Sequence, residues 1–325
     1  MRALVTGGAG YIGSTVSYYL LDRGHEVTII DNLSTGSIKN IPNKATFYKQ
    51  DISDIKKLNK IFLKNKFDIV FHFAALINNE ESIKNPKKYY DNNFLKGKIF
   101  FENCIKNKLN KFIYSSTAAV YGNKAKPVNE KNTLKPMSPY PKSKLKLENF
   151  LKKKKNIIRC IILRYFNVAG SDKKMRCGFN INNDYNLILN LCSASLKKKN
   201  FIINGNNYKT NDGTTIRDYI HVEDLAEIHL LTANLILKQQ MIKIFNCGYG
   251  YGFSVKEILK KFNSIIKNKI KYKIGKRRAS DIVISIANPK KLIRATKWKP
   301  KYNDLNYLLK SSLRWYKKNI NKKKH

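Results

Sequence analysis

Tyr140 and Lys144, in the run Tyr140-Pro141-Lys142-Ser143-Lys144, stand four residues apart. On a helix that spacing puts both side chains on one face. A phenol with an ordinary pKa near 10 is a poor base at neutral pH. An ammonium one helical turn away favours the phenolate, so the pair could move protons. Upstream, Ser115-Ser116-Thr117 ends an apolar run, and a hydroxyl there could bridge Tyr140 and a hydroxyl on a substrate. A lone Tyr-x-x-x-Lys is common by chance, so its meaning depends on what else the chain carries.

A second constellation supplies that context. Thr6-Gly7-Gly8-Ala9-Gly10-Tyr11-Ile12-Gly13 joins a short apolar run to a segment of helical spacing. Gly7, Gly10 and Gly13 permit a tight turn, close approach of backbone to a pyrophosphate, and close helix–strand packing, with the phosphates at the helix N-terminus. Asp31 ends the next apolar run, 18 residues past Gly13. A carboxylate there binds a ribose diol and repels a 2′-phosphate, which selects NAD over NADP. The positive nicotinamide ring would add to Lys144 in favouring the phenolate, and Lys144 could also hold the nicotinamide ribose.

The elements that must position these groups alternate. Strands are predicted at 2–6, 25–30, 45–50, 68–73, 111–115 and 157–166. Helices are predicted at 11–23, from a Ser53 cap to about 64, at 87–108 and at 140–154. The fold class expected is α/β: a Rossmann-type doubly wound parallel sheet, with a smaller mixed α/β C-terminal lobe. The rhythm weakens after Asn167. The expected division is therefore a cofactor domain at 1–167 and a substrate lobe at 168–325, with some segments returning to the first domain.

Composition removes several classes. The chain has 325 residues, 42% hydrophobic and 11% aromatic, which is a globular composition. No run of about 18 apolar residues argues for a membrane span. The N-terminus reads as a strand rather than a secretory leader, so a cytoplasmic protein is expected. Lys plus Arg is 64 against 22 acidic residues, a net charge of +42. Ten of those are Arg and 54 are Lys, scattered among Asn and Ile as AT-rich codons would deposit them. A phosphate reader favours the Arg fork over the Lys point charge, so no specific nucleic-acid partner is expected. The five cysteines show no metal spacing and read as reduced, packed thiols, and no metal is expected. His72, His221 and His229 sit in apolar surroundings and read as structural.

Beyond these residue-level readings, the chain resembles the extended short-chain dehydrogenase/reductases, and among them the UDP-glucose 4-epimerase family. The resemblance rests on VTGGAGYIGS, IIDNLSTG, HFAAL, YYDNN, YSSTAAVYG, SPYPKSK, LRYFNVAG, DGTTIRDYIHVEDLA and FNCGYGYGFSV, in order along nearly the whole chain. It implies inversion at C4 of UDP-glucose and UDP-galactose through a transient 4-keto sugar, with Tyr140 as base, Lys144 beside it and Thr117 on the 4-hydroxyl. It implies an NAD site built from Gly7, Gly10, Tyr11, Ile12, Gly13, Asp31, Asn32, Asp51, Ile52, Phe73, Ala74, Asn92, Ser115, Tyr140, Lys144, Tyr165 and Phe166. For the sugar nucleotide it implies Thr117, Tyr140, Asn167, Asn186, Leu187, Arg217, Arg278 and Asp281, and it implies a homodimer through helices near 89–108 and 140–154. A 4,6-dehydratase would carry an acidic pair after the Thr, where this chain has Ala118-Ala119. A decarboxylase is a further alternative, and a lapsed Rossmann protein binding nucleic acid is another. Family members usually carry Lys at the place of Ile77 and Val-Gly at Asn79-Glu80, so one cation at the cofactor is missing here. The usual Gly before Asp281 and an aromatic at Asn204 are also missing. Ser285 matches a position that gates sugar size, and a small residue there implies room for N-acetylhexosamines.

Overall fold

In a computed structural model, which describes residues 1–181, 186–238, 242–278 and 281–321, the first half of the chain follows the expected alternation. β1 (Arg2–Thr6), α1 (Tyr11–Leu21), β2 (Glu26–Asp31), β3 (Thr46–Lys49), α2 (Ile55–Lys64) and β4 (Ile69–His72) come first. They are followed by α3 (Asn79–Lys84), α4 (Pro86–Tyr90), α5 (Lys96–Lys106), β5 (Lys111–Thr117), α6 (Pro139–Lys153) and β6 (Arg159–Tyr165). The six strands pair in parallel, and alternate residues face opposite ways. Ala3 and Val5 of β1 pack in a cluster with Val16 and Leu20 of α1, whereas Leu4 joins Phe100, Phe101 and Leu147 on the other face. A sheet buried on both faces explains the near-continuous Val/Ile/Phe runs.

Two helical expectations need correction. Ser53 is not the cap of α2: its hydroxyl donates to Asp51 Oδ1 at 2.6 Å, and Asp54 accepts from the Lys57 amide at 3.1 Å instead. The segment predicted as one helix over 87–108 is α4, a π-helical turn at Asp91–Leu95, and α5, with α3 as an unforeseen helix ahead of them. That widened turn carries Asn93, which bonds Leu76 through both its amide N–H (2.8 Å) and its carbonyl (2.9 Å), and Ser143 of α6 at 3.1 Å. The turn therefore ties the loop after β4 to the helix bearing Tyr140 and Lys144.

Past β6 come β7 (Asn167–Ala169), α7 (Leu187–Lys197), β8 (Phe201–Asn204), β9 (Ile216–Arg217) and β10 (Tyr219–His221). Next are α8 (Val222–Lys238), β11 (Ile242–Cys247), β12 (Phe253–Ser254) and α9 (Val255–Asn263). β13 (Tyr272–Gly275), β14 (Ile284–Ser285), α10 (Lys290–Thr296) and α11 (Leu305–Asn321) complete the fold. β11 returns to the main sheet beside β6, giving seven strands in the order β11-β6-β5-β4-β1-β2-β3, and α8 covers the face that α1 also covers. Short two- and three-stranded sheets, β10-β7, β12-β9-β14 and β13-β8, make the mixed α/β part. Among the described residues no helix is long and apolar enough to cross a membrane, and all five cysteines are free and buried.

Candidate active site

The strand order changes direction between β1 and β4, and open α/β sheets place ligands at the strand C-termini at such a point. Gly7 follows β1 there with φ of +72°, and a Cβ on it would lie 2.6 Å from the Ala74 amide nitrogen. A Cβ on Gly13 would meet the Gly7 carbonyl oxygen at 2.3 Å, so α1 can approach β1 only without one. Gly10 is the extended residue ahead of α1, whose first turn holds no acidic side chain to compete for its amides. Tyr11 and Ile12 open that helix, and the Tyr11 hydroxyl donates to the Gly170 carbonyl at 2.7 Å. The Asp31 carboxylate accepts from the Ala9 amide at 2.9 Å and the Leu33 amide at 2.8 Å; burial raises its pKa while the two N–H groups oppose the rise. It is thereby aimed at the crevice that the glycines leave.

Farther along, Asn32 donates to Asp51 Oδ2 at 3.1 Å, and Lys96 reaches the same oxygen at 2.7 Å. Burial would raise the Asp51 carboxyl, but Lys96 and Ser53 outweigh it and hold it at about 2. Ile52 is buried beside this pair, while Phe73 and Ala74 are half-buried after β4. Asn92 donates to Asn93 at 3.1 Å within the π-helical turn. The glycine cradle and the carboxylate at the end of β2 fit a dinucleotide: the residues present supply amides for the phosphates and an acceptor for the ribose. Ile77, where a cation was absent from the sequence, is 52% exposed.

Tyr140, Lys144 and Thr117 come together. Thr117 ends β5, and its side chain lies close enough to the Tyr140 phenol to lower the phenol's pKa. Lys144 is buried one turn farther along α6, with its ammonium 4.7 Å from the centroid of the Tyr114 ring. Burial pushes the Tyr140 phenol up to about 12, with Thr117 opposing, and pulls Lys144 down to about 7, with Glu148 opposing. Both shifts describe a pair desolvated in the protein without its ligands. The Tyr165 hydroxyl bonds His229 Nε2 at 2.6 Å, and burial raises its pKa well above the ordinary value with Ser115 opposing. Phe166 is buried with Ala118 and Val120. A cleft of about 80 Å³ opens beside the phenol, lined by Asn79, Ala119, Met137, Ser138, Tyr140, Pro141 and Ile282.

A second group gathers on the C-terminal part. Arg217 on β9 lies in register with Ser285 on β14. Its guanidinium donates to the Ile216 carbonyl at 2.9 Å and stands 3.9 Å from Asp281. Asp218 and Asp224, the other possible partners of Arg217, are engaged elsewhere: Asp218 accepts three backbone amides and Asp224 the Tyr249 hydroxyl. Asp281 also accepts from Tyr208 at 2.9 Å. Arg278 is no solitary surface cation. It pairs with Glu80 at 2.7 Å, and in its hydrogen-bonding orientation the Asn204 amide oxygen accepts from it at 2.9 and 3.1 Å. Asn167 is exposed at the start of β7. Asn186 uses its side-chain oxygen to cap α7, accepting from Ile188 and Leu189, and Leu187 packs against the second apolar cluster. Among the described residues no hydrogen bond or ion pair joins Asn186 to Arg217, Arg278 or Asp281.

The residues that sequence reasoning does not reach are Glu148, Arg164 and Lys96, together with the pairing of Glu80 to Arg278. Glu148 repeats the four-residue spacing of Tyr140 and Lys144, and Arg164 interrupts an apolar strand, so both left a signal. The pairings of Lys96 and Glu80 are tertiary and left none. His72, His221 and His229 each find a structural partner: Thr6, Ser311 and the Tyr165–Leu225 pair.

Comparison with known proteins agrees with this geometry. The profile of the family described as NAD dependent epimerase/dehydratase matches residues 3–248. The chain is similar to the UDP-glucose 4-epimerase of Halalkalibacterium halodurans, 36% identical over 321 residues, covering 98% of this chain and 96% of that one. A solved UDP-glucose 4-epimerase of Stenotrophomonas maltophila with bound NAD and formylated UDP-arabinopyranose is 30% identical, with a TM-score of 0.95 and 99% of both chains covered. The UDP-Glc/GlcNAc 4-epimerase of Campylobacter jejuni is 38% identical, with a TM-score of 0.84 and 98% and 99% covered. The chain belongs to the NAD dependent epimerase/dehydratase family and stands within it among the UDP-glucose 4-epimerases.

Proposed function

We propose that the chain inverts C4 of UDP-glucose and UDP-galactose, with Tyr140 as the base. The observation that carries this reading is Tyr140 lining a cleft with Lys144 buried one turn away on α6, the cleft having no carboxylate among its described lining residues. Tyr140, as phenolate, accepts the proton of the 4-hydroxyl, and Thr117 orients that hydroxyl and passes the proton. NAD, held by the glycine cradle after β1 and by Asp31, would supply the hydride acceptor for C4 and the hydride donor for its return. Lys144 supplies the positive charge that holds the phenolate at neutral pH. With Ala119 and no acid–base pair among the described lining residues, elimination of water has no group there to drive it, which counts against a dehydratase. Residues 1–167 would hold the cofactor, and 168–325, apart from α8 and β11, the sugar nucleotide.

Arg217 and Arg278 anchor the diphosphate in this reading, and Asp281 the ribose. Arg278 would exchange Glu80 for phosphate. Arg217→Lys removes the two-pronged fork but keeps the charge. It is expected to weaken UDP binding about 10-fold, measured by calorimetry. Unchanged affinity would remove Arg217 from the nucleotide site.

Ser285, half-buried and in register with Arg217, is a small residue at the position that gates sugar size in this reading, and turnover of UDP-N-acetylhexosamines is expected. Ser285→Tyr should cut turnover of UDP-GlcNAc by roughly 10- to 100-fold through overpacking, while UDP-galactose turnover stays within about threefold. Absence of UDP-GlcNAc turnover in the unaltered protein would reject the wider range. A homodimer through α4, α5 and α6, and a cytoplasmic setting in keeping with the buried free thiols, complete the proposal.

The deciding experiment is incubation of purified protein with UDP-galactose, without added NAD, and separation of the products. UDP-glucose is expected. A 4-keto-6-deoxy sugar would replace the epimerase by a dehydratase.

A further inference from the structure

One rung beneath the reacting ends of the strands lies a layer of buried charge. Ser116, Arg164 and Asn246 stand in register across β5, β6 and β11, and Thr117, Tyr165 and Cys247 form the next rung. Glu148 enters this layer from α6, one turn beyond Lys144. It accepts from the Ser116 hydroxyl and takes Arg164 as a two-pronged fork, Nε to Oε1 at 3.0 Å and Nη2 to Oε2 at 2.6 Å. The remaining Arg164 nitrogen donates to the Tyr121 hydroxyl at 2.9 Å, which donates to Asn246 at 2.7 Å. Side-chain exposure is 1% for Arg164 and 0% for Glu148.

Burying an ion pair so completely is expensive, and apolar side chains of like volume commonly hold such layers at least as well. Packing alone therefore leaves the charge unexplained. Its neighbours explain it. The titratable groups facing Lys144 are Tyr140 and Glu148 on α6, the Tyr114 ring on β5 and His72 on β4, with Arg164 on β6 beyond Glu148. His72 is neutral, pushed down to about 3 by burial and then by Lys144 itself. Glu148 is the one carboxylate in this group. Burial pulls Lys144 toward neutrality and Glu148 opposes that pull.

We infer that Glu148, held in place by Arg164, is a positioning residue that keeps Lys144 cationic and so maintains the Tyr140 phenolate. The inference rests on the roles given above to Tyr140 and Lys144. The bidentate fork fixes the carboxylate so that it cannot swing from Lys144, and the Ser116 bond ties the same carboxylate to the strand that ends in Thr117. Base, proton carrier and ammonium are thus referred to one buried anion.

The test is Glu148→Gln in the NAD-loaded protein, which keeps shape and the Ser116 acceptor but removes the charge. Loss of a nearby anion favours proton loss from the Lys144–Tyr140 pair, and more so from Lys144. The acid limb of kcat/KM for UDP-galactose against pH is expected to move down by about one pH unit, and its plateau to fall about 10-fold. Tyrosinate absorbance near neutral pH, taken as the part that Tyr140→Phe abolishes, should fall by about the same factor. Should Glu148→Gln fail to fold with Arg164 left unpaired, the double variant Glu148→Gln/Arg164→Met removes both charges, and both readouts should move in the same directions. A limb and a tyrosinate signal that coincide with those of the unaltered protein, whatever the loss of thermal stability, would reduce the pair to a structural element. The tyrosinate signal needs no turnover, so it decides the role of Glu148 even if the unaltered protein fails to convert UDP-galactose, a failure that would count against the proposed function instead.

Discussion

Tyr140→Phe is expected to lower turnover of UDP-galactose by roughly 10³-fold, about 4 kcal/mol of transition-state stabilisation, within the range that a positioned general base supplies. The substitution removes one oxygen. The ring keeps its edge-on contact with Tyr89, centroids 6.5 Å apart, and what is lost is the phenol oxygen beside Thr117. Fold and nucleotide affinity should therefore survive. Product separation after incubation with UDP-galactose gives the rate, and calorimetry with UDP gives the affinity. A rate within a few-fold of the unaltered protein would place the base elsewhere. A parallel loss of UDP affinity would recast Tyr140 as a binding group.

The second large effect lies at the other end of the crevice. Gly13→Ala is expected to weaken NAD binding by roughly 10- to 100-fold, because forcing a methyl into a packed contact costs about 1–3 kcal/mol. The contact is severe and cannot be relieved by a rotamer: the new carbon would lie 2.3 Å from the Gly7 carbonyl oxygen and 2.9 Å from its carbon, both backbone. Either α1 moves off β1 or the glycine loop deforms, and both withdraw amides from the phosphates. Calorimetric titration with NAD measures the loss. Affinity unchanged by the added methyl would mean that the loop is free to move and does not set the dinucleotide geometry.

These expectations were open to sequence reasoning because their signals are local. Three glycines, an acid at the end of the next strand and a Tyr-x-x-x-Lys each fit within a few turns of chain. Legibility faded where a partner lies far along the sequence. Nothing near Glu80 announces Arg278, and nothing near Asp51 announces Lys96. The division of 87–108 into two helices around a π-helical turn also escaped, since its cause is the reach of Asn93 to Leu76 and Ser143, not helical propensity. Two adjacent residues, Ser53 and Asp54, can each cap α2 by type, and Asp51 engages the serine, which leaves Asp54 as the cap. Glu148 was legible and overlooked: it extends the spacing that identified Lys144.

The late return of β11 bears on how the chain is made. β6 ends at Tyr165 and its neighbour begins at Ile242. At translation rates of about 5–20 residues per second, roughly 4–15 s separate the two at the ribosome. During that interval β6 is a bare edge rich in Ile and Leu, with unpaired amides and carbonyls. Nascent chains stalled before residue 242 should recruit chaperones at the β6 edge, and that recruitment should fall once Cys247 has cleared the ribosome, although the apolar face of α7 still awaits α9 and α11. A completed sheet is thus a matter of timing as well as of sequence.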